Sequence, residues 1–307
     1  MNNTGIIKDS VVSFFLAAAV IIGCLPMAVY YPRYLSEKKE YSVEKVYEAE
    51  ADEIRVMSCN VRCVNPLDTG KKSWFYRANY VLEGIENTAP GIIGFQEVTR
   101  WQYSYICDCL PDYDSVITYR DTAYNSESCP VFYNTKLYSL IEDGSFWLSE
   151  TPDVMSKDWD SGCYRICSYI ILETKENSNR FVVFNFHLDN ESEEARINGI
   201  KLILRKIEEF GSLPAVLMGD FNAGEGSTTY NCATEIFNDA AVIAPETMRD
   251  SCTYQNWGKA LERGRIDYFM ISKQGLTALE YKVITDTYDG AYSSDHFPIF
   301  ALLKFEN

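Results

Sequence analysis

Histidine is nearly missing from this chain: His187 and His296 are the two in 307 residues. None of the ten cysteines stands in a Cys-x-x-Cys pair, so the ligand spacing of a structural zinc site is absent as well. Basic residues are also short, with 28 Lys and Arg against 44 Asp and Glu and a net charge of −16. That deficit argues against a broad basic face for nucleic acid, and no basic stretch is interleaved with aromatics. Phosphate chemistry stays open, because clustered carboxylates hold divalent cations that reverse the local field. From Ile54 onward there is no repeat, low-complexity tract or linker.

What is present is a globular composition, 47% apolar and 23% charged. Ser10–Pro32 form 23 uncharged positions between Lys8-Asp9 and Arg33. A helix of that length would cover the ~30 Å hydrocarbon layer of a membrane. Residues 1–35 therefore read as a transmembrane anchor or signal segment, 36–53 as a charged linker, and 54–307 as one domain. Ile21-Ile22-Gly23-Cys24 resembles a lipoprotein cleavage box that would leave a lipidated Cys24. The basic residues after the span put the domain in the cytoplasm. A cleaved or lipidated signal puts it outside, the placement preferred here, at a bacterial cell membrane. Of the nine other cysteines, Cys107 with Cys109 and Cys163 with Cys167 could pair; free thiols are the expectation.

Short apolar runs predict strands at Ile54–Val61, Gly91–Gln96, Ser115–Tyr119, Pro130–Asn134, Cys167–Glu173, Phe181–His187, Ala215–Gly219, Ile266–Ser272 and Phe297–Phe305. Helical periodicity predicts helices at Ser73–Glu86, Arg100–Leu110 and Ser192–Phe210, the last capped by Asn190. Many strands with interspersed helices predict an α/β layered fold of two packed sheets.

The informative pattern is how the strands end. Apolar runs stop at Asn60, at Gln96-Glu97, at His187-Leu188-Asp189 and at Asp220-Phe221-Asn222, while Asp267 and Asp295-His296 open two others. A polar side chain at the mouth of a buried strand is costly unless it finds a partner or an ion. Six such strands point to one shared site. Its hard oxygen donors suit Mg²⁺, or Mn²⁺, better than zinc.

Ser58-Cys59-Asn60-Val61-Arg62, Gly94-Phe95-Gln96-Glu97, Asn185-Phe186-His187-Leu188-Asp189, Gly219-Asp220-Phe221-Asn222, Arg265-Ile266-Asp267-Tyr268 and Ser294-Asp295-His296-Phe297-Pro298 occur in the order of the endonuclease/exonuclease/phosphatase superfamily. The resemblance covers about Ile54 to Glu306. It implies a two-sheet β-sandwich flanked by helices, four layers α-β-β-α, and metal-dependent hydrolysis of a phosphate ester. In that light Glu97, Asn60 and Asp295 resemble the metal ligands and His296 the general base oriented by Asp267. His187 would act as hydrogen-bond donor or acid, with Glu127 as its acidic partner. Asp220 and Asn222 would hold the attacking water and a phosphate oxygen. Arg165 would contact the substrate phosphate. Asp189 reads equally as structural or site-adjacent. Trp74 and Trp147 would line a cleft or pack in the core.

No cysteine or serine stands beside a histidine base in these motifs, so no covalent intermediate is expected. A phosphodiester is the favoured substrate, with nuclease action slightly ahead of a phospholipid or a phosphorylated metabolite. A catalytically silent, membrane-anchored binding protein is the contrasting class. It would be signalled by loss of Glu97, Asp220 or His296, and all three are present. No protein partner is implied.

Overall fold

The computed structural model describes residues 28–38, 41 and 52–306. The predicted apolar segment, and Cys24 within it, lies outside the described residues apart from its last positions. Among the described residues, no helix is long and apolar enough to cross a membrane.

In chain order the strands are β1 (Glu53–Asn60), β2 (Ile92–Gln96), β3 (Tyr113–Val116), β4 (Val131–Asn134), β5 (Tyr138–Trp147), β6 (Ile166–Thr174) and β7 (Arg180–His187). They continue with β8 (Ala215–Asp220), β9 (Phe237–Asp239), β10 (Glu246–Thr247), β11 (Asp267–Ser272), β12 (Leu276–Val283) and β13 (Ile299–Phe305). One sheet has the order β10-β12-β13-β1-β2-β4-β3 and the other β5-β6-β7-β8-β11-β9. Helices Trp74–Thr88 and Arg100–Cys109 cover the first sheet, and Glu193–Glu208 covers the second. The expected four-layer sandwich is the observed one.

Side-chain alternation decides where the site forms. Ile54 and Val56 of β1 face the second sheet, whereas Met57 and Cys59 face the helices. By the same parity Asn60 turns inward. On β7, Phe181 and Val183 point between the sheets, which sends His187 the same way, and Val216 and Met218 of β8 do so for Asp220. Phe269 and Ile271 of β11 place Asp267 likewise. Each inward apolar row thus ends in a polar residue at the same pole. A buried belt seals the rows beneath it: Gln96 Nε2 donates to Asn185 Oδ1 (2.6 Å), and Asn185 Nδ2 to the carbonyls of Phe95 and Pro130.

Two departures from the predicted elements have local causes. The long helix begins at Glu193 with Ser192, not Asn190, as its N-cap, because Ser192 Oγ accepts from the Ala195 amide and Asn190 Oδ1 is taken by Arg165. β13 starts at Ile299, so Asp295 and His296 stand in the loop before it, held by the backbone pairing of Tyr254 with His296. β5, β9, β10, β12 and the helices Thr228–Ile236 and Ala240–Ile243 were not anticipated, and the strand expected at Ser115–Tyr119 is β3, Tyr113–Val116.

All nine described cysteines are free thiols. Residues 28–36 are helical and, with Tyr41, lie along helices Trp74–Thr88 and Arg100–Cys109. Tyr34 is buried, stacks on Tyr105 at 4.5 Å and meets Phe75 edge-on at 5.3 Å. The Arg33 guanidinium lies 4.1 Å over the Tyr76 ring and donates to Tyr80 Oη.

Candidate active site

Backbone register puts the polar ends level. Asp220 pairs with His187 across parallel β7 and β8, and with Asp267 across antiparallel β8 and β11. Gly219 makes the first pairing feasible: its φ is +144°, and a Cβ there would sit 1.9 Å from the Phe186 carbonyl oxygen. On the other sheet Asn60 lies opposite Gln96, and Glu97 follows with φ +61°, a left-handed turn that aims its carboxylate into the pole.

Asn60 joins the two sheets. Its Nδ2 donates to Glu97 Oε1 and to Asp220 Oδ2, both at 3.2 Å, while its Oδ1 accepts from the Arg62 amide. Glu97 Oε2 accepts from the Cys63 amide at 3.0 Å. Burial opposes ionisation of Glu97, but the Cys63 amide, His296 and Arg62 outweigh it and hold the carboxyl below its ordinary range. Asp295 is buried and lies 3.9 Å from Arg62 Nε. Burial, with Glu97 nearby, pushes its pKa up.

His296 Nδ1 and Asp267 Oδ2 are 2.9 Å apart, and His296 Nε2 lies 3.7 Å from Asp220 Oδ2. Burial alone would lower the imidazole, yet the carboxylates of Asp267 and Asp220 push it up to about 10. The Asp220 carboxyl is pushed up to about 7 by burial and by Asp267. His187 has the opposite environment. Asn222 Nδ2 donates to the Leu188 carbonyl, which fixes the amide, and its second hydrogen bond at 2.9 Å therefore falls on an accepting His187 Nε2. Burial, then Arg165 and Arg120, holds that ring neutral, well below the ordinary histidine value.

Glu127, expected as the partner of His187, instead forms a two-pronged pair with Arg120, each contact 2.8 Å. The arginine carries the nearest strong charge, and Trp147 Nε1 anchors its loop by donating to the Arg120 carbonyl. Trp74 is a core residue. Asp189 proves structural. Its carboxylate accepts from Ser161 Oγ, from the amides of Gly162, Glu191 and Ser192, and from Arg165 Nε at 3.3 Å. Although burial opposes it, the Ser192 amide, Ser161 and Arg165 hold this carboxyl well below the usual carboxylate range. Arg165 is thereby presented to the pocket while itself buried.

Asp189→Asn should therefore destabilise the fold by about 3 kcal/mol, since it strips a buried arginine of its charge partner. Urea denaturation measures this. A carboxyl whose pKa is depressed by folding stabilises above the unfolded value and loses that contribution as pH falls. The gap between variant and wild type should accordingly close below pH ~4.

These groups line one open pocket of about 470 Å³. Glu97, His187, Asp220, Asn222, Asp295 and His296 contribute to it, with Arg62, Arg120, Arg165 and Arg263 around them. The arginines were not singled out in the sequence apart from Arg165. The carboxylate-rich donor set fits a hard divalent cation. Arg62 supplies positive charge between Glu97 and Asp295, which identifies where such an ion would be favoured. The ligand atoms of Asp220, Asp267 and His296 also lie within 4.8 Å of one another, but the His296–Asp267 hydrogen bond uses two of them.

A family model described as Endonuclease/Exonuclease/phosphatase family matches residues 57–296. A search of curated proteins finds no match. Among solved structures, an endonuclease/exonuclease/phosphatase from Bacteroides vulgatus is similar at 31% identity and a TM-score of 0.78, covering 83% of this chain and 99% of its own. A mannosyl-6-phosphatase of Bacteroides thetaiotaomicron shows 31% identity and a TM-score of 0.77, over 82% of this chain and 100% of its own. The human nocturnin catalytic domain, solved with a bound sulfate, shares the fold at 19% identity and a TM-score of 0.66, over 83% and 94% of the two chains.

Proposed function

The chain belongs to the endonuclease/exonuclease/phosphatase family and is a phosphoesterase, and from that premise we propose that it hydrolyses a small phosphate ester, with a phosphorylated sugar or similar polar monoester as substrate. The observation that carries this reading is the His296–Asp267 pair set beside Asp220 at the floor of an arginine-lined pocket. The similarity to a mannosyl-6-phosphatase supports a monoester, and the charge of −16 favours a small ester over the nucleic acid first preferred.

Asp267 holds His296 through Nδ1, leaving Nε2 to take the proton of a water bound by Asp220. The water oxygen forms the new bond to phosphorus, the bond to the ester oxygen breaks, and the alcohol leaves with a proton from solvent. Asn222 fixes neutral His187 as an acceptor through Nε2, so in this arrangement that ring orients groups and has no proton to give at Nε2. Arg165 and Arg120 face the phosphoryl oxygens. A divalent ion, Mg²⁺ or Mn²⁺, held by Glu97 and Asp295 with Asn60 in support, would supply charge stabilisation for the phosphoryl and leaving oxygens.

The test is a panel of sugar phosphates, nucleotides, inositol phosphates, sphingomyelin, RNA and plasmid DNA. Phosphate release from sugar phosphates is expected. Cleavage of DNA without such release would replace the small-ester reading with a nuclease. Turnover should vanish in EDTA and return with Mg²⁺ or Mn²⁺; full activity in EDTA would remove the ion from the scheme.

A further inference from the structure

His296 and Asp267 are 29 residues apart in the chain and hydrogen-bonded in space. Asp267 opens β11, whereas His296 stands in the loop before β13, outside any strand. The spacing between their backbones must therefore be set by something else, and the loop Cys252–Gly258 lies between them. Thr253 of this loop is fully buried and takes no part in the chemistry above. Its Oγ1 accepts from the amides of Ile266 and Asp267, at 2.9 and 3.1 Å. Its carbonyl accepts from the amide of Phe297, the residue after His296, at 2.7 Å. One residue thus ties the backbone beside the base to the backbone of the carboxylate that orients it.

The residues that follow grip the same loop. The amides of Gln255 and Asn256 both donate to the Asp295 carbonyl at 3.0 Å. Gln255, also fully buried, donates through Nε2 to the Ser294 carbonyl and accepts through Oε1 from the Gly258 amide, each at 2.6 Å. The Tyr254 ring packs against the His296 imidazole with centroids 5.0 Å apart, and the two residues pair through their backbones. Polar side chains buried this deeply cost free energy unless they are satisfied. Here the partners that satisfy Thr253 belong to the segment that carries Asp267, and Gln255 grips the one that carries His296.

We propose that Thr253 is a positioning residue for the hydrolysis: with Gln255 in support, it sets the distance and angle of the His296–Asp267 hydrogen bond and so the aim of Nε2 at the attacking water. This role rests on the reading of His296 as the base. Proton transfer needs hydrogen-bond reach, and a misplacement of about 1 Å can cost about a hundredfold in rate. A hydroxyl that fixes two amides on one side, with a carbonyl that fixes a third on the other, restricts that freedom without touching substrate.

Thr253→Val keeps the shape of the side chain and removes its acceptor. In the full chain, with saturating Mg²⁺ and mannose 6-phosphate as the probe, kcat should fall about tenfold while KM stays within about twofold. Thr253→Ser should recover most of that loss. In the His296→Ala background, Thr253→Val should cost nothing further, because it acts through the ring. A purely structural role would lower turnover by the same factor in both backgrounds, and that result would overturn the proposal. Wild-type kcat in Thr253→Val beside an inactive His296→Ala would also overturn it and leave the base in place. Wild-type kcat in His296→Ala would remove the base and the positioning role together. Should Thr253→Val show no cooperative urea transition, Gln255→Leu, which releases the Ser294 carbonyl, is judged by the same criteria. Should no ester be turned over, the hydrolase reading falls, and imidazole NMR decides the hold on the ring, since the chain has only two histidines. Thr253→Val should shift the His296 ring signals, and signals that stay in place would sink the idea.

Discussion

Replacing His296 with alanine is expected to lower turnover at least about a hundredfold. The ring is the one group at the pole with an orienting carboxylate on Nδ1 and a free face on Nε2. The pH profile separates this role from a structural one. A base works when deprotonated, and Asp267 and Asp220 raise His296 against the effect of burial. The imidazole so raised keeps its proton at neutral pH, so activity at low Mg²⁺ should rise on going alkaline. A divalent cation nearby opposes that positive charge and should shift the acidic limb to lower pH as its concentration grows. In His296→Ala the limb should be gone. Wild-type turnover in the variant, or an unaltered limb, would remove His296 from the chemistry.

Arg77→Met should be the most damaging single change to the fold, costing about 4 kcal/mol, read as a drop in the urea midpoint. The guanidinium is fully buried and donates to four carbonyls, those of Lys72, Val61, Arg62 and Ser293, between the rings of Trp74 and Trp257. Methionine fills much of the volume and takes the guanidinium donor from all four acceptors, of which the Arg62 carbonyl keeps Gln102 Nε2. Two of them follow Asn60 and one lies two residues before Asp295, so that side of the pocket should loosen together with the fold. Arg77→Lys keeps a charge but only three donors and should fall between the two. An unchanged midpoint in Arg77→Met would mean that water replaces the guanidinium at no cost.

The central strands were readable because both of their faces are buried. Runs such as Phe181–Phe186 and Ala215–Met218 pack the inter-sheet core on one side and a helix on the other, so nearly every position is apolar. β5 escaped notice because it is an edge strand whose middle, Ile141-Glu142-Asp143, is exposed. β12 alternates too weakly to separate from a loop. At the site, Asn60, Glu97, Asp220, Asp267 and His296 were visible because each interrupts or adjoins an apolar run. Arg62, Arg120 and Arg263 lie in loops with no periodic background, and an isolated arginine there looks like any solvated charge. Arg77 was hidden differently. It sits inside a helical pattern, where one charged position among apolar ones reads as the solvent edge, although its exposure is 0%.

The opening and closing strands of the domain lie side by side, Glu53 opposite Lys304 and Ser58 opposite Ile299. The floor of the pocket draws on both ends of the domain, Asn60 from the end of the opening strand and His296 from the loop just before the closing one. Synthesis must therefore run past His296 before the pocket floor is complete, and a fragment clipped ahead of that residue should lack the proposed base.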